Sequence, residues 1–461
     1  MNYLILKIAL EKLNKNQRGL LFVAFHFSLF TFHSNAQTLE SYIQQGLQHS
    51  LALKQEDMEI QKALESINQA RALFYPRLTF APTYSLAAGG RRLNFPVGDL
   101  LNPVYSTLNQ LTKSSSFPQI QNVNEQLAPN NFHDTKFTVQ FAIYDPQIKY
   151  NYLIQKQLVS VQQAKRKIVE NEIRYNVTST YYQYLQTTET LKVYENTRQT
   201  LSELLRLNQK LVANQVATKD VVAAAEYEIS KLNQQVAVMK KNQNLAKAYL
   251  EYLTKAPLPP EGGFKTDTQT AFDKAMSIKQ IPLSGGQGGL LQLSESIKVA
   301  ESAVLLQQKS AMLPSVFLGG NAGFQGFGYL FSGQEYAVVQ VGLNWDLFKG
   351  YEKKSKIQIA KIQTEILKTK KLEVERQLEL QIEQAYLELD AARENLTLTA
   401  DAKTKAETYF KVIDSKYKNG NMLFIEWLKA QNDVTTAQLQ QSLAQFDVLL
   451  KYSFLERVVN Q

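Results

Sequence analysis

Two segments of this chain lack the residues that normally interrupt helices. Residues 147–256 contain neither proline nor glycine, and residues 351–461 contain no proline and one glycine, Gly420. Both are rich in Gln, Leu, Lys, Glu and Ala, which favour helix. Each has one break, ANQVAT at 213–218 and KNGNML at 418–423, so each is predicted to be a helical hairpin. The helix before the first break would be roughly 100 Å long at 1.5 Å per residue.

Apolar residues recur in both segments at intervals of three and four, which is the pattern of a coiled-coil seam. The recurring positions are Leu191, Tyr194, Leu201, Leu205 and Val212, and in the second segment Ile357, Ala360, Leu367, Val374 and Leu378. We therefore expect the hairpins to pack as long coiled coils.

The chain repeats one order of elements twice. Each half is predicted to contain a helix, a strand, a loop, a strand and a helical hairpin, and Pro76 and Asp145 correspond to Pro314 and Asp346. Such an internal repeat constrains the fold of the whole chain. The expected bounds are a first repeat over 37–256 with strands about 74–86 and 136–145 and a hairpin over 147–256, and a second repeat over 290–461 with strands about 314–325 and 336–348 and a hairpin over 351–461.

Two stretches fall outside these elements. Residues 257–289 contain several of the remaining prolines and glycines and are predicted to be a linker or a small side feature. Residues 86–132 are rich in Asn, Pro, Ser and Gln and are predicted to be a long exposed loop.

Residues 1–36 have the features of a secretory signal peptide. Basic residues, among them Lys12, Lys15 and Arg18, precede an apolar core at 19–32, and small residues follow at 34–36. A retained membrane anchor is the alternative, although the core is short for a bilayer span. We expect cleavage and export, with no transmembrane helix in the mature chain.

The predicted strands have one apolar and one polar face. The apolar residues that alternate along two of them are Phe137, Val139, Phe141, Ile143, Val339, Val341, Leu343, Trp345 and Leu347. A soluble sheet covered by the protein's own helices is one interpretation. Helices of this length would not fold back as a compact cover, and an exported chain can reach a membrane, so we favour strands that face lipid. About ten tilted residues cross a bilayer in a barrel, and four strands are too few to enclose a water-lined one, so several chains must share it.

The sequence offers no catalytic, cofactor-binding or metal-binding site. It contains no cysteine and four histidines, of which His49 and His133 are the only ones beyond the predicted signal peptide. The glycine-rich residues 319–328 follow a strand, but no helix opens after them, so a phosphate loop is disfavoured. The basic clusters behind the net charge of +9 have no interleaved aromatic residues, so no nucleic-acid partner is expected.

Taken together, these features resemble the TolC-like outer-membrane efflux and secretion channels. The resemblance lies in the strand-to-helix joint LNWDLFKG with the following KKSKIQIA, in FAIYDPQIKY, and in the two helix-turn-helix tips. It covers nearly all of residues 38–458 and implies a mainly α homotrimer. In such a homotrimer, three chains of four strands share a twelve-stranded outer-membrane β-barrel, continued by a helical tunnel in the periplasm of a Gram-negative bacterium.

The resemblance further implies a passive exit duct with several partners. These are two more copies of the chain, outer-membrane lipid, a periplasmic adaptor (membrane fusion) protein and an inner-membrane pump of the RND or ABC type. No cofactor is implied.

The hairpin tips are the positions that the resemblance assigns to adaptor docking. They are Asn214, Gln215, Val216, Ala217 and Thr218 at the first break, and Asn419, Gly420, Asn421, Met422 and Leu423 at the second. Gln215 stands where the family has a glycine, and Leu423 where it has Thr or Ser. Gly420 can take the positive φ that a tight turn requires, and Gln215 is expected to manage without that freedom. A bare helix connection is the alternative at each tip.

The resemblance places the closed end of the tunnel just past the second tip. The matching positions are Asp220, Tyr417, Met422, Glu426 and Lys429. Tyr417 corresponds to a tyrosine that ties to the first hairpin, and Glu426 to an acidic residue that rings the aperture. Three copies of Glu426 around a narrow lumen would attract cations; a solvated helix charge is the alternative.

A second functional class remains open, a non-conducting exported coiled-coil scaffold or adhesin. A scaffold needs neither strands with an apolar face nor two hairpins in the same register, so the export duct is favoured. The cargo, whether drug, metal ion or protein, is not encoded in these motifs, because the pump normally selects it.

Overall fold

The structure is a computed structural model that describes residues 38–257, 265–279 and 288–460. The predicted signal peptide, residues 1–36, lies outside the described residues. The elements in chain order are α1 (Leu39–His49), α2 (Leu51–Ala72), β1 (Arg77–Ser85), β2 (Arg92–Phe95), α3 (Val97–Thr112), β3 (Val123–Gln126), β4 (Phe132–Tyr144), α4 (Pro146–Ala213), α5 (Asp220–Thr254), α6 (Lys265–Ser277), α7 (Gly288–Met312), β5 (Ser315–Phe327), β6 (Glu335–Asn344), α8 (Glu352–Lys418) and α9 (Phe424–Asn460).

The fold is mainly helical, as the sequence predicted. The longest helices are α4 with 68 residues and α8 with 67, and each is followed after a short turn by a return helix, α5 with 35 residues and α9 with 37. α4 and α8 therefore end at the two breaks predicted from the sequence, 213–218 and 418–423. Among the described residues, no helix is both long and apolar enough to cross a bilayer.

The chain divides into two compact units that cut across the sequence repeats. The helical unit comprises the described parts of 1–50, 171–283 and 382–459, and the sheet unit comprises those of 51–170 and 284–381. Each repeat contributes to both units. The two repeats are therefore similar in element order without being separate compact domains.

Two hydrophobic clusters stabilise the helical unit. One joins α1, α4, α5 and α9 and includes Tyr42, Tyr181, Leu250 and Leu449. The other joins α4, α5, α8 and α9 and includes Leu204, Ala225, Ile413 and Trp427. Burying each large apolar side chain contributes about 1.5–3 kcal/mol relative to exposure, so these clusters hold the hairpins side by side.

The sheet unit contains an antiparallel sheet in the order β1, β4, β5, β6. Its register aligns Phe80 with Phe137, Phe137 with Ala322, and Ala322 with Ala337. Paired residues share a face, and so do alternate residues along a strand. The register therefore collects Phe137, Val139 and Phe141 of β4 with Val339, Val341 and Leu343 of β6 on one face, whereas an irregularity between Ala142 and Tyr144 leaves Ile143 unpaired in the register. In the sheet that the structure describes, β1 and β6 are the two edges.

The end of β6 differs from the prediction. A strand was expected over 336–348, but β6 ends at Asn344, so Trp345 and Leu347 lie in the connection to α8 and not in the strand. Lys349 Nζ lies 2.5 Å from the Asp346 carboxylate, and Lys353 Nζ donates to the Asp346 carbonyl oxygen. These side-chain contacts hold the connection in a turned path, which alternation of side chains along the sequence does not reveal.

The residues predicted as one long loop, 86–132, contain β2, α3 and β3 and the first residue of β4. β2 and β3 pair with each other. Asn102 exchanges two hydrogen bonds with the backbone of Ile120, at 2.8 and 2.9 Å, and Asn109 does the same with Phe117, at 2.7 and 3.0 Å. These asparagines fasten α3 to the segment that follows it, so this insertion is a small folded element.

The predicted linker, 257–289, also contains a helix. α6 spans Lys265–Ser277, and its C-terminal end is held by Arg393 of α8, whose side chain is 17% exposed. The Arg393 guanidinium donates to the carbonyl oxygens of Ala275 (2.8 Å from Nε) and Ile278 (2.8 Å from Nη2). The cation thus satisfies carbonyl groups that a helix leaves without intrahelical partners at its end.

Replacing Arg393 should release α6 without unfolding the hairpins. Hydrogen bonds from a charged donor contribute about 1.5–3 kcal/mol each, so amide exchange in α6 should accelerate on the order of tenfold or more in Arg393→Ala. Hydrogen exchange read by mass spectrometry measures this. Arg376→Ala, at an exposed position of the same helix, is the control, and equal acceleration in both variants would contradict the capping role.

Candidate functional site

The first hairpin turn closes with a helix C-cap motif. After α4, the Gln215 amide donates to the Val212 carbonyl oxygen (3.0 Å) and the Val216 amide to the Leu211 carbonyl oxygen (2.8 Å). Gln215 has a φ of 64°. This pair of bonds around one left-handed residue is the Schellman motif, which satisfies the last carbonyl groups of a helix.

The second hairpin turn has the same construction. After α8, the Gly420 amide donates to the Tyr417 carbonyl oxygen (3.0 Å) and the Asn421 amide to the Lys416 carbonyl oxygen (2.8 Å). Gly420 has a φ of 77°. The sequence repeat is thus reproduced at the level of individual backbone hydrogen bonds.

Gln215 therefore adopts the conformation that the sequence suggested it would avoid. The expectation was that a residue with a side chain would manage the turn without positive φ. The structure places Gln215 in the left-handed region instead, where a side chain costs about 1–2 kcal/mol per residue. The hydrogen bonds of the motif offset that cost, so the first turn is the more strained of the two.

Below the turns, a buried amide connects three helices. Asn208 of α4 is fully buried; its Nδ2 donates to the Val221 carbonyl oxygen of α5 (3.2 Å), and its Oδ1 accepts from the Tyr417 hydroxyl of α8 (2.6 Å). Burial raises the pKa of Tyr417, so its hydroxyl remains a donor throughout the physiological range. Asn208 and Tyr417 thus tie the first hairpin to the second.

A second polar contact joins α8 to α9 beside this amide. The buried Trp427 indole donates from Nε1 to Asp414 Oδ1 (2.8 Å), and Lys418 Nζ lies 2.7 Å from Asp414 Oδ2. Phe410 packs edge-on against the Trp427 ring, with centroids 5.3 Å apart. The carboxylate therefore orients a large aromatic side chain at the start of α9.

The residues predicted for the tunnel aperture do not form one cluster. Asp220 is exposed and accepts a hydrogen bond from the Thr218 hydroxyl. Met422 is half-buried and packs against the cluster that contains Trp427. Glu426, in the first turn of α9, and Lys429 are both exposed. Among the predicted aperture residues, all of which the structure describes, only Tyr417 makes a side-chain hydrogen bond from one hairpin to the other.

The predicted docking tips present mainly exposed side chains. Val216 is 72% exposed and Leu423 is 70% exposed. The remaining predicted residues fall into an exposed group, Asn214, Gln215, Thr218, Asn419, Gly420 and Asn421, and a half-buried pair, Ala217 and Met422. Exposed apolar side chains beside a rigid turn are suited to contact another protein.

The sheet unit presents an exposed apolar face. The exposed members of the predicted lipid-facing set within the strands are Phe137, Val139, Ile143, Val339, Val341 and Leu343, whereas Phe141 is half-buried. The register adds Leu78 and Phe80 of β1 and Leu318 of β5 to that face. The opposite face carries Thr138, Gln140, Asn321 and Gln340. One side of the sheet therefore suits an apolar surrounding and the other suits water.

Sequence reasoning missed Asn208, Asp414 and Trp427. A signal for Asn208 was available, because it lies at helical spacing among Leu201, Leu204 and Leu211, and a lone Asn in a coiled-coil seam often fixes register. Asp414 and Trp427 carry no comparable pattern, since their contact depends on how α8 and α9 are paired. Within the described residues, no group of three or more His, Cys, Asp or Glu could hold a metal ion.

Residues 292–461 match a protein-family model described as outer membrane efflux protein. A comparison with curated proteins found no match.

Solved structures share the fold over almost the whole chain. The outer membrane protein VceC of Vibrio cholerae has a TM-score of 0.69 at 16% identity, covering 92% of this chain and 96% of VceC. The outer membrane channel CmeC of Campylobacter jejuni has a TM-score of 0.70 at 13% identity, covering 92% and 85%. The outer membrane channel MtrE of Neisseria gonorrhoeae has a TM-score of 0.70 at 14% identity, covering 92% and 88%. The resemblance to TolC-like channels predicted from the sequence is thereby confirmed.

Removing glycine from the second turn and introducing it into the first should have opposite effects on the free energy of unfolding. Gly420→Ala forces a side chain into the left-handed region and should destabilise the second turn by about 1–2 kcal/mol. Gln215→Gly removes that strain from the first turn and should stabilise it by up to about 1 kcal/mol, less the added freedom of the unfolded chain. Urea unfolding followed by helical circular dichroism measures both. Destabilisation by Gln215→Gly of the same size as by Gly420→Ala would contradict the motif assignment.

The tie between Asn208 and Tyr417 should be measurable as a coupling energy. Tyr417→Phe removes one hydroxyl and leaves a buried amide oxygen without its donor, which should cost about 1–3 kcal/mol. Asn208→Ala should cost a similar amount, and the double variant should cost clearly less than the sum. Tyr409→Phe, at a half-exposed position of the same helix, is the control. Additive losses in the cycle would show that the two side chains act independently.

Proposed function

We propose that three copies of this chain form an outer-membrane exit duct of a tripartite efflux or secretion system. The observation that carries the proposal is the sheet, which has an exposed apolar face, a polar face and two edges. The family match of residues 292–461 and the fold shared with outer membrane channels support it.

The physical argument for several copies concerns the edges of the sheet. A bilayer offers no hydrogen-bond partners, so strands within it must close into a ring. Four strands cannot enclose a water-lined lumen. Three chains of four strands would pair β6 of one copy with β1 of the next and give a twelve-stranded barrel. Its apolar face would contact outer-membrane lipid and its polar face would line the lumen.

The helical hairpins are assigned to the periplasmic part of the duct. Their turns would meet a periplasmic adaptor protein through Val216, Leu423 and the neighbouring tip residues, and the adaptor would connect the duct to an inner-membrane pump of the RND or ABC type. Matching Schellman motifs at the two turns support this role, because they give an adaptor two similar rigid ends to contact.

The closed end of the duct is assigned to the same region. Tyr417 and Asn208 would hold neighbouring hairpins together, while the exposed Glu426 would face the lumen and favour cations. Asp220 and Lys429 are exposed as well. They would contribute one further negative and one positive charge per chain near the aperture. The duct itself performs no chemistry; the pump supplies the energy.

The alternative of a non-conducting scaffold or adhesin has no support among the matched proteins. The family model is that of an efflux protein, and CmeC and MtrE are described as channels. A scaffold also provides no reason for an exposed apolar face on a sheet with unpaired edges.

Planar-bilayer recording tests the conducting function. Purified protein should conduct weakly, with a preference for cations, and Tyr417→Phe should raise the open probability because it loosens the closed end. Glu426→Lys should lower the cation-to-anion permeability ratio on the order of tenfold, since three charges change sign together.

Glu203→Lys is the matched control, because Glu203 is an exposed acid on α4 away from the predicted aperture. It should leave selectivity unchanged. A purified trimer that shows no conductance, even with Tyr417 and Glu426 both replaced, would exclude the duct.

A further inference from the structure

The insertion between β1 and β4 carries a helix with one face already occupied. In α3, Asn102 and Asn109 are bonded to the backbone at Ile120 and Phe117, and the Tyr105 ring packs on Phe117 with centroids 5.8 Å apart. These contacts cover one side of α3 with the insertion's own chain. They also fix which side of the helix remains uncovered.

The uncovered side is an apolar stripe. Leu101, Val104, Leu108 and Leu111 follow one another at intervals of three, four and three, which is the a and d spacing of a coiled-coil seam. Leu111 is 77% exposed, Val104 is 52% exposed and Leu101 is 37% exposed, while Leu108 is half-buried. An apolar seam of this kind on an exposed helix indicates a partner helix.

The charge of α3 argues against lipid as that partner. Helices that lie on a membrane surface carry Lys and Arg on their polar face. α3 contains neither, and its one charged residue is Asp99, whose carboxylate accepts a hydrogen bond from Asn122 (2.9 Å). Leu100, which is 62% exposed, lies beside this seam on the helix surface. The absence of Lys and Arg from α3 favours another copy of the same seam over lipid.

Symmetry supplies such copies, provided that the trimer proposed above forms. α3 is attached through residues 86–96 and 113–131 to the C-terminal end of β1 and the N-terminal end of β4. Ser85 and Phe132 pair there, at the end of the sheet opposite to the one where β4 continues into α4, so each copy of a shared barrel would carry its α3 at the same mouth. Identical patches around a closed symmetry axis can meet one another. A seam of two heptads is too short to associate freely, but tethering to one barrel raises the local concentration to about the millimolar range.

We infer that the three α3 helices pack seam to seam over the outer mouth of the barrel and close it. The occupant of the apolar stripe is therefore α3 of the neighbouring copies. The insertion then acts as a closure of the duct in addition to the Tyr417 region, and opening the duct requires the three seams to separate.

Cysteine cross-linking in the full-length protein tests this inference, because the chain has no cysteine of its own. Val104→Cys and Leu111→Cys place thiols on the seam, and Gln110→Cys places one on an exposed position of the same helix outside the seam. A disulfide requires Cα atoms within about 7 Å. Under mild oxidation, the seam variants should form at least about tenfold more disulfide-linked dimer than Gln110→Cys, and reduction should increase their conductance.

The outcomes separate this inference from the proposed function. Conducting trimers in which neither seam variant cross-links above the Gln110→Cys level would overturn the α3 closure alone. Quenching of a fluorophore on Val104→Cys by lipid-soluble quenchers in reconstituted vesicles would assign the stripe to the membrane and likewise overturn it. Absence of both trimer and conductance in the unmodified protein would instead refute the duct on which the inference rests.

Discussion

The main-chain hydrogen-bonding groups at the two edges of the four-stranded sheet need partners, and this requirement constrains how the chain can be placed and assembled. β1 and β6 are each paired on one side in the described sheet, and one face of that sheet is covered with exposed Phe, Val and Leu side chains. In water, such a face would favour aggregation. In a bilayer the face is stable, but the edges then need partners that lipid cannot provide. The proposed closure with further copies would satisfy both requirements at once.

The turns of the helical hairpins meet a different requirement. Each ends a long helix whose last backbone carbonyl groups need hydrogen-bond donors. Both turns use the same pair of backbone bonds, one around Gly420 and the other around Gln215. Underneath them, Asn208 and Asp414 place hydrogen-bonding groups within an otherwise apolar cluster. Because an unpaired polar group in such a place is costly, these side chains favour one alignment of the helices over neighbouring ones.

How much of this was predictable depends on the range of the interactions involved. The long helices, their breaks and the alternating strands follow from local composition and periodicity, and the sequence predicted them well. The end of β6 at Asn344 was not predictable in this way, because Lys349 and Lys353 turn the chain through side-chain contacts with Asp346. The order in residues 86–132 depends on asparagines that bond backbone 8 and 18 residues away, and composition alone classed them as loop formers. Gln215 was misjudged because residue type gives a preference for φ, while the helix-capping bonds decide it.

Amide hydrogen exchange of the sheet in lipid-reconstituted protein tests the central claim most directly. The account predicts that the edge strands β1 and β6 are protected to the same extent as the inner strands β4 and β5, because neighbouring copies complete the ring. Fast exchange along β1 and β6 beside protected β4 and β5 would show open edges, and would contradict closure of the sheet by further copies.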